Sequence, residues 1–243
     1  MLKTSSNNSV GIYIPSYKRA ENVNKNHLIS LEKITFVVRE SEKDEYLKNG
    51  AKNIIGVEDS KINSLGKVRQ WIIENAREDV VIQIDDDVDN FFYKLKNNAE
   101  EVESEDVIEQ ELLRIAQILI DLKLGLASIE MSADVRKTNR EFKWSGCTGG
   151  INWFNKSCIK GKYSKDLMKV DTDFMLQELL ANRICIVPAY FGAYVKKDTN
   201  KGGNQCIKTY ERLVENNMFL KQKWGKYFDF DYNRNVTKVK VER

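Results

Sequence analysis

Short apolar runs and amphipathic stretches alternate along the first ninety residues of the chain. Four of the runs are rich in β-branched residues and end at proline, glycine or polar positions, which is the pattern of buried β-strands. The stretches between them show helical spacing of apolar residues or a terminal glycine. Strands are predicted at residues 11–14, 34–38, 53–57 and 80–84, and helices at residues 22–31, 42–49 and 65–76. This alternation predicts a mostly parallel, doubly wound α/β sheet.

The second half of the chain is less regular. Ser104 precedes two acids and an apolar face, so a capped helix is expected from there through Leu119. Residues 146–154 combine a glycine-rich turn with an apolar run. Further strands are predicted at residues 126–131, 150–154 and 184–187, further helices at residues 171–180 and 207–223, and a polar tail after them. We therefore expect the second half of the sheet to be mixed.

Size and composition favour one domain over residues 1–243. The chain has two prolines and no Gly/Ser-rich stretch that would link separately folding units. Its four cysteines form no Cys-x-x-Cys pair, and the single histidine, His27, cannot complete a Cys/His zinc site. No apolar run reaches the length of a bilayer span, and the first ten residues lack a signal-peptide core. We expect a soluble, cytoplasmic protein with no membrane partner.

The charge is unevenly placed, although the net charge is only +3. Residues 100–111 carry seven acids and no base, whereas residues 196–243 carry twelve Lys/Arg against six Asp/Glu. A basic segment of this kind suits a polyanion such as nucleic acid. A solvated, lysine-rich surface explains the same excess equally well.

Three adjacent carboxylates, Asp85, Asp86 and Asp87, directly follow the apolar run at residues 80–84. Carboxylates packed together at a strand end repel one another unless something compensates them. A Mn²⁺ or Mg²⁺ ion does this, and its open positions can take diphosphate oxygens. We expect Asp87 to be the principal ligand, Asp85 to face the ribose or the metal, and Asp86 to support them. The alternative is an acidic turn that bonds only to backbone.

Two other segments supply groups that suit a nucleoside diphosphate. Residues 15–19 (PSYKR) follow the first strand, and Tyr17 could stack on a base. Lys67 and Arg69 begin the helix that precedes the aspartate strand, where the helix N-terminus also favours anions. Lysine and arginine on amphipathic helices are also common as plain surface residues.

Five segments in this order, IPSYKR, SLGKVRQW, VVIQIDDDV, GGINWF and KVDTDF-MLQ-ELL, resemble the GT-A glycosyltransferase superfamily. The small size and the late Lys-Gly-Gly-Asn are similar to its bacteriophage branch, the TET-associated glycosyltransferases, which glycosylate hydroxymethylated pyrimidines such as hydroxymethylcytosine in DNA. The resemblance implies a GT-A (Rossmann-like) fold, a mixed and mostly parallel sheet flanked by helices. It also implies a nucleotide-binding half at residues 11–90 and an acceptor-binding half at residues 125–243.

The resemblance also implies roles for individual residues. The nucleoside pocket would be lined by Pro15, Ser16, Tyr17 and Arg19, with Asp85 beside it. Lys67 and Arg69 would approach the diphosphate, and residues 85–87 would be the DxD metal motif. The acceptor would be bordered by Gly149 and Gly150. Apart from the resemblance, Trp144, Trp153 and Phe154 could stack a base or sugar on the acceptor side, with Trp153 as the expected contact, although large apolar residues belong to the core more often than not.

The segment Asp171-Thr172-Asp173 falls where inverting GT-A enzymes place the carboxylate that deprotonates the acceptor hydroxyl. We expect Asp173, and after it Asp171, to be the general base. The competing interpretation is that Asp171 caps the helix and Asp173 sits in its first turn.

One departure from the family pattern concerns a late histidine that many metal-dependent GT-A enzymes use as a ligand. The only histidine here is His27. Either aspartates, diphosphate and water hold the metal, or Lys201 and the backbone of Gly202 and Gly203 contact the phosphates directly.

The expected function is sugar transfer from a nucleoside diphosphate sugar, a UDP-sugar above others, to a hydroxyl on a modified DNA base. The expected location is then the host cytoplasm if the source is viral. Rival hypotheses are a GT-A enzyme acting on a protein, lipid or glycan, a nucleotidyltransferase, and a non-catalytic nucleic-acid-binding protein. The sequence leaves the sugar, the stereochemical outcome and the oligomeric state open.

Overall fold

A computed structural model describes residues 2–23, 29–137, 140–146, 149–163, 168–195 and 209–241. The strands are β1 (Leu2–Lys3), β2 (Ser9–Pro15), β3 (Ile34–Arg39), β4 (Asn53–Val57), β5 (Val80–Ile84), β6 (Val88–Lys94), β7 (Ala99–Val102), β8 (Leu126–Ser128), β9 (Phe142–Lys143), β10 (Ile151–Asn155), β11 (Val187–Pro188), β12 (Phe191–Val195), β13 (Phe228–Asp231) and β14 (Val236–Val239). The α-helices are α1 (Lys43–Lys48), α2 (Leu65–Asn75), α3 (Glu105–Asp121), α4 (Val170–Asn182) and α5 (Tyr210–Trp224).

The main sheet has the order β4-β3-β2-β5-β10-β8, with β1 paired to β2. The strands from β4 to β5 are parallel, and β10 runs antiparallel to both β5 and β8. The chain leaves β2 for β3 on one side and returns in β5 on the other. The carboxyl ends of β2 and β5 therefore flank a switch point, which is where open α/β sheets bind ligands. The predicted parallel first half and mixed second half are confirmed.

Helices cover both faces of the sheet, and every residue of the central strand β5 is therefore buried. On one face α3 packs its predicted apolar stripe, which includes Leu112, Ile115 and Leu119, against Ile82 of β5. On the other face α2 and α4 enclose a second cluster around Val81. Ser64 and Ser104 accept a hydrogen bond from the third helical amide of α2 and α3, as their positions predict.

A second sheet of order β12-β6-β7 starts immediately after the aspartates and was not predicted. Its strand β6 pairs with β12, which lies a hundred residues away in sequence. Residues 100–102 of the acidic stretch lie on β7, and the acids from Glu105 onward lie on α3. The amide of Ala193 in β12 also donates to the carbonyl of Glu130, two residues after β8, at 2.9 Å.

Two other predictions were wrong in the residues that the structure describes. Residues 20–22 form a 3₁₀ turn and residues 31–33 a further turn, where a helix over 22–31 was expected. The expected polar tail is the hairpin β13–β14, which packs Phe228 against Leu220 of α5 and Leu176 of α4. Within the described residues, no helix has the length and apolar character needed to cross a bilayer.

Candidate functional site

The loops that follow β2 and β5 are tied to each other by Asp86. One of its carboxylate oxygens accepts a hydrogen bond from Ser16 Oγ at 2.5 Å, and the other contacts the guanidinium of Arg19. Ser16 and Arg19 are both buried. The loop at residues 15–19 and the aspartate loop thus form one rigid unit at the switch point between the two strands.

A buried tyrosine of α1, Tyr46, contacts two residues of the loop at residues 15–19. The hydroxyl of Tyr46 lies 2.7 Å from Ser16 Oγ and accepts a hydrogen bond from the amide of Arg19 at 3.2 Å. Burial raises the pKa of Tyr46, so its hydroxyl keeps its proton. The sequence analysis missed this residue, and the available signal was the single aromatic residue of a short, mostly charged helix.

Asp86 does not fit the supporting metal ligand that was expected. Its carboxylate is mostly buried and both oxygens face donors of the neighbouring loop. Burial raises the pKa of Asp86, while Arg19 and Ser16 act in the opposite direction. The expected role is corrected to that of an anchor between the two loops.

Asp87 has the features of a cation ligand. Its Oδ1 atom is buried and accepts no hydrogen bond from the described residues, and Arg19 approaches its other oxygen only to 3.9 Å. Burial, together with the neighbouring charges of Asp85 and Asp86, raises the pKa of Asp87 to about 6. A divalent cation would supply the missing partner for this oxygen and oppose the repulsion.

The number of protein ligands at this edge is small. Within the part of the chain that the structure describes, no three His, Cys, Asp or Glu side chains come together as a metal site. Asp85 and Asp87 fit a metal whose remaining positions are filled by substrate and water, which is a common arrangement for Mg²⁺.

Asp85 is held from two directions. Its amide donates to the carbonyl of Gly150 at 2.7 Å, and its Oδ1 accepts from Arg69 Nη2 at 2.5 Å. The other guanidinium nitrogen, Nη1, contacts Oδ1 of Asp171 at the start of α4. Arg69 therefore links the aspartate strand end to α4, and it lies buried under the edge where direct contact with a diphosphate was expected.

The two aspartates of α4 have different surroundings. Asp173 is 2% exposed and accepts hydrogen bonds from Lys223 Nζ at 2.7 Å, Trp224 Nε1 at 2.8 Å and Gln177 Nε2 at 3.0 Å. Its carboxylate thus fastens α5 to α4. The helix begins at Val170 with Lys169 as its N-cap and no side-chain cap, so Asp171 does not cap it. The geometry favours Asp171 over Asp173 as the carboxylate that faces the aspartate edge.

The glycine pair lies beside Asp85, as a border of the site requires. Gly150 has a φ of +66°, and a Cβ at this position would lie 2.9 Å from Val195 Cγ2. Both facts favour glycine here. A Cβ on Gly149 would lie 3.0 Å from Met131 Cε.

Trp153 cannot stack on an acceptor. Its side chain is fully buried, and its indole nitrogen donates to the carbonyl of Leu112 at 3.0 Å. The expected acceptor contact is therefore wrong, because β10 is a central strand covered by α3. Phe154 is likewise buried, whereas Trp144 is 41% exposed.

Tyr17 is half-buried beside the switch point, and the guanidinium of Arg39 lies 4.0 Å from its ring centroid. Arg39 ends β3, so a third parallel strand contributes to this edge, and the sequence analysis did not single it out. Lys67 is exposed in the first turn of α2, where it was predicted. His27, Lys201, Gly202 and Gly203 lie outside the described residues.

The architecture is shared with solved structures that include a mannosyltransferase. The mannosyltransferase PcManGT from Pyrobaculum calidifontis, in complex with GDP-Man and Mn²⁺, is 13% identical, with a TM-score of 0.53 over 82% of this chain and 60% of that one. TarS residues 1–349 from S. aureus, in complex with UDP-GlcNAc, is 11% identical, with a TM-score of 0.51 over 88% of this chain and 66% of that one. A mycobacterial protein is 7% identical, with a TM-score of 0.54 over 97% of this chain and 84% of that one.

These likenesses show the GT-A fold, and the chain spans less than two thirds of the length of the first two proteins. No curated protein sequence matches the chain. A sequence model of the family described as TET-Associated Glycosyltransferase matches residues 10–204, which is most of the chain. The protein therefore has a GT-A fold and belongs to the family described as TET-Associated Glycosyltransferase.

Proposed function

We propose that the protein, acting as one catalytic domain, transfers a sugar from a UDP-sugar to the hydroxyl of a hydroxymethylated pyrimidine in DNA. One observation carries this proposal. Asp85 and Asp87 stand at the carboxyl end of β5, and a buried oxygen of Asp87 accepts no hydrogen bond from the described residues. A metal-bound diphosphate at the switch point would complete this arrangement.

Asp87 and Asp85 would hold Mn²⁺ or Mg²⁺. The ion, when bound, neutralises the negative charge that develops on the departing nucleoside diphosphate. Asp86, Ser16 and Arg19 keep the two loops together, so that Asp85 and Asp87 need not reorganise when the donor binds.

Residues on the three parallel strand ends and α2 would bind the donor. Tyr17, backed by Arg39, offers a ring for the nucleobase, with Pro15 at the end of β2 beside it. Lys67 would reach the diphosphate from the exposed first turn of α2. Lys201, with the backbone of Gly202 and Gly203, is proposed to contact the same phosphates.

Asp171 is the proposed general base. Its carboxylate would take the proton of the acceptor hydroxyl while that oxygen forms its bond to the anomeric carbon. The bond from the anomeric carbon to the diphosphate oxygen breaks in the same step, and the electron pair leaves with the diphosphate. This role passes from Asp173 to Asp171 because Asp173 is already enclosed by donors of α4 and α5.

The acceptor would enter beside Gly149 and Gly150, next to Asp85. A base in duplex DNA must leave the stack to reach a carboxylate edge of this kind. Phosphate contacts are proposed for the basic segment at residues 196–243. In its described part Lys238 and Lys240 pair with Asp231 and Asp229 on the exposed hairpin, and exposed pairs are weak enough for phosphate to compete.

Support for DNA as acceptor comes from the family to which the chain belongs and from the basic segment. A thermal-shift panel of nucleotide sugars with and without Mn²⁺ identifies the donor, because a ligand of the native state raises Tm. Transfer is then followed by mass spectrometry on DNA containing 5-hydroxymethylcytosine, DNA containing 5-hydroxymethyluracil, unmodified DNA and a glycan panel.

The proposal expects Mn²⁺-dependent addition of one sugar to hydroxymethylated DNA and none to unmodified DNA. Asp87→Asn is expected to lower transfer by about a thousandfold, since it removes several kcal/mol of metal-assisted stabilisation. Transfer only to glycans would replace the DNA acceptor. Unchanged turnover of Asp87→Asn would remove the metal assignment.

A further inference from the structure

Arg69 is the most buried cation of the site, with a side chain that is 2% exposed. Its guanidinium contacts two carboxylates that come from different elements. Nη2 lies 2.5 Å from Asp85 Oδ1 at the end of β5, and Nη1 contacts Asp171 Oδ1 at the start of α4. The two carboxylates are themselves about a quarter exposed, so Arg69 lies beneath them while they reach the surface of the site.

The backbone around Arg69 is also fixed. Its carbonyl accepts a hydrogen bond from Gln83 Nε2 of β5 at 2.9 Å. The next residue, Gln70, accepts from the amide of Tyr163 at 2.9 Å, and the ring centroid of Tyr163 lies 5.9 Å from the Arg69 guanidinium. Helix α2, strand β5 and the segment before α4 therefore meet at this one side chain.

This geometry does not suit a contact with the donor diphosphate. Arg69 could reach a phosphate only by leaving Asp85 and Asp171, and breaking a buried ion pair on one side is costly. The planar guanidinium fork suits two carboxylates at once, which a lysine ammonium cannot match.

We propose that Arg69 is a positioning residue that sets the distance between Asp85, on the metal side of the reaction, and Asp171, on the acceptor side. This inference rests on the proposed function for the roles of the two aspartates. A misplacement of about 1 Å between reacting groups can lower a rate about a hundredfold without changing what is bound. Arg69 therefore acts on the rate constant of the chemical step and leaves donor affinity largely unchanged.

The test compares wild type with Arg69→Lys and Arg69→Met, and uses Arg77→Lys and Arg77→Met as matched controls. Arg77 is an exposed arginine just after α2, outside the site. Three quantities are measured for each protein: Tm without ligand, the rise in Tm on adding the UDP-sugar with Mn²⁺, and kcat and KM. Both kcat and KM are measured for transfer to hydroxymethylated DNA and for hydrolysis of the same UDP-sugar by water.

Arg69→Lys is expected to keep the donor-induced rise in Tm and a donor KM within about twofold of wild type, while kcat falls about 10- to 100-fold in both reactions. Arg69→Met is expected to lower Tm as well, because it leaves two carboxylates without their partner. The Arg77 variants are expected to match wild type in every quantity.

Two results would overturn the inference. A raised donor KM or a lost donor-induced Tm shift, with kcat unchanged, would make Arg69 a donor contact. A lower Tm with normal kcat and KM in Arg69→Lys would make it a purely structural ion pair. A wild-type protein that binds and hydrolyses the UDP-sugar but modifies no DNA would count against the DNA acceptor, and the hydrolysis kcat of the variants would still decide the role of Arg69.

Discussion

The site has two acidic segments, Asp85–Asp87 after β5 and Asp171–Asp173 at the start of α4. Each segment has one carboxylate that binds a neighbouring element and at least one that stays partly exposed. The carboxylate of Asp86 accepts hydrogen bonds from the loop after β2, and that of Asp173 accepts hydrogen bonds from α5. Asp85, Asp87 and Asp171 keep a partly exposed face.

The difference lies in which position of each segment becomes the anchor. After β5 the chain forms a turn in which the amide of Val88 donates to the carbonyl of Asp85, and the middle carboxylate of this turn is the one that meets Ser16 and Arg19. On a helix, residues two apart point to nearly opposite sides, so Asp171 and Asp173 cannot share one surface. The backbone that carries a cluster of acids thus decides which of them can take part in chemistry.

The largest expected effect comes from Asp171→Asn. Loss of a general base lowers the rate by about a hundredfold to ten-thousandfold, so kcat for transfer should fall within that range. The donor-induced rise in Tm should persist, because Asp171 does not bind the donor. Steady-state kinetics and thermal shift on the same preparation check this, and a kcat within tenfold of wild type would contradict the role.

Asp173→Ala should lower stability and leave kcat nearly unchanged, in contrast to Asp171→Asn. It leaves Lys223 and Trp224 without their shared acceptor and should lower the free energy of unfolding by about 2–3 kcal/mol. Among folded molecules kcat should stay within a few-fold of wild type. Urea unfolding measures the loss, with Asp106→Ala as the control, since Asp106 is an exposed acid in the first turn of α3. A large kcat loss at unchanged stability would restore Asp173 as the base.

Asp87→Asn should stabilise the metal-free protein while it inactivates the enzyme. Burial raises the pKa of Asp87 to about 6, above its ordinary value of 3.8, so its ionised form opposes folding. That penalty grows between about pH 4 and pH 6 and stays constant above. The variant should therefore gain about 1–3 kcal/mol at pH 7 and almost nothing at pH 4.

Urea unfolding with a chelator present, at both pH values, measures the effect of Asp87→Asn. Equal stability of the two proteins at pH 7 would show that another group already compensates the carboxylate of Asp87.

The smallest effect is expected at Trp153. Trp153→Phe removes the hydrogen bond to the carbonyl of Leu112 and leaves a small cavity, so unfolding should become easier by about 1–2 kcal/mol. The acceptor KM should not change, because the side chain is fully buried. A rise in acceptor KM without a loss of stability would return Trp153 to the acceptor site.

Local pattern was enough to predict the strand edge that carries the site. The nearly continuous, β-branched apolar run of β5 predicts a strand covered on both faces, and the acids that follow it then lie at a carboxyl end. The loop after β2 was predicted for the same reason, since parallel neighbours end at one edge. The pairing of β6 with β12 joins segments about a hundred residues apart, which no local pattern contains. The strands β7, β13 and β14 pair locally, and they were missed because each is four residues long and carries charged side chains.

The sequence pattern also failed to predict that a charged side chain, Arg69, would be buried. Arginine on an amphipathic helix is ordinarily a surface residue, so Arg69 was expected to face a ligand. Its burial is possible only because Asp85 and Asp171 approach from two other elements. Trp153 was misplaced for a related reason, since a tryptophan on a strand can face either a site or the core.

The sequence by itself determined the alternation of strands and helices, the position of the three aspartates after a central strand, and the family that this order resembles. These properties follow from the period of apolar residues and from composition near each motif. Only the tertiary structure decided which carboxylates stay available, because that depends on donors brought in from Ser16, Arg19 and α5. Whether a carboxylate is buried and which donors it binds depend on contacts between distant segments, and no local pattern contains those contacts.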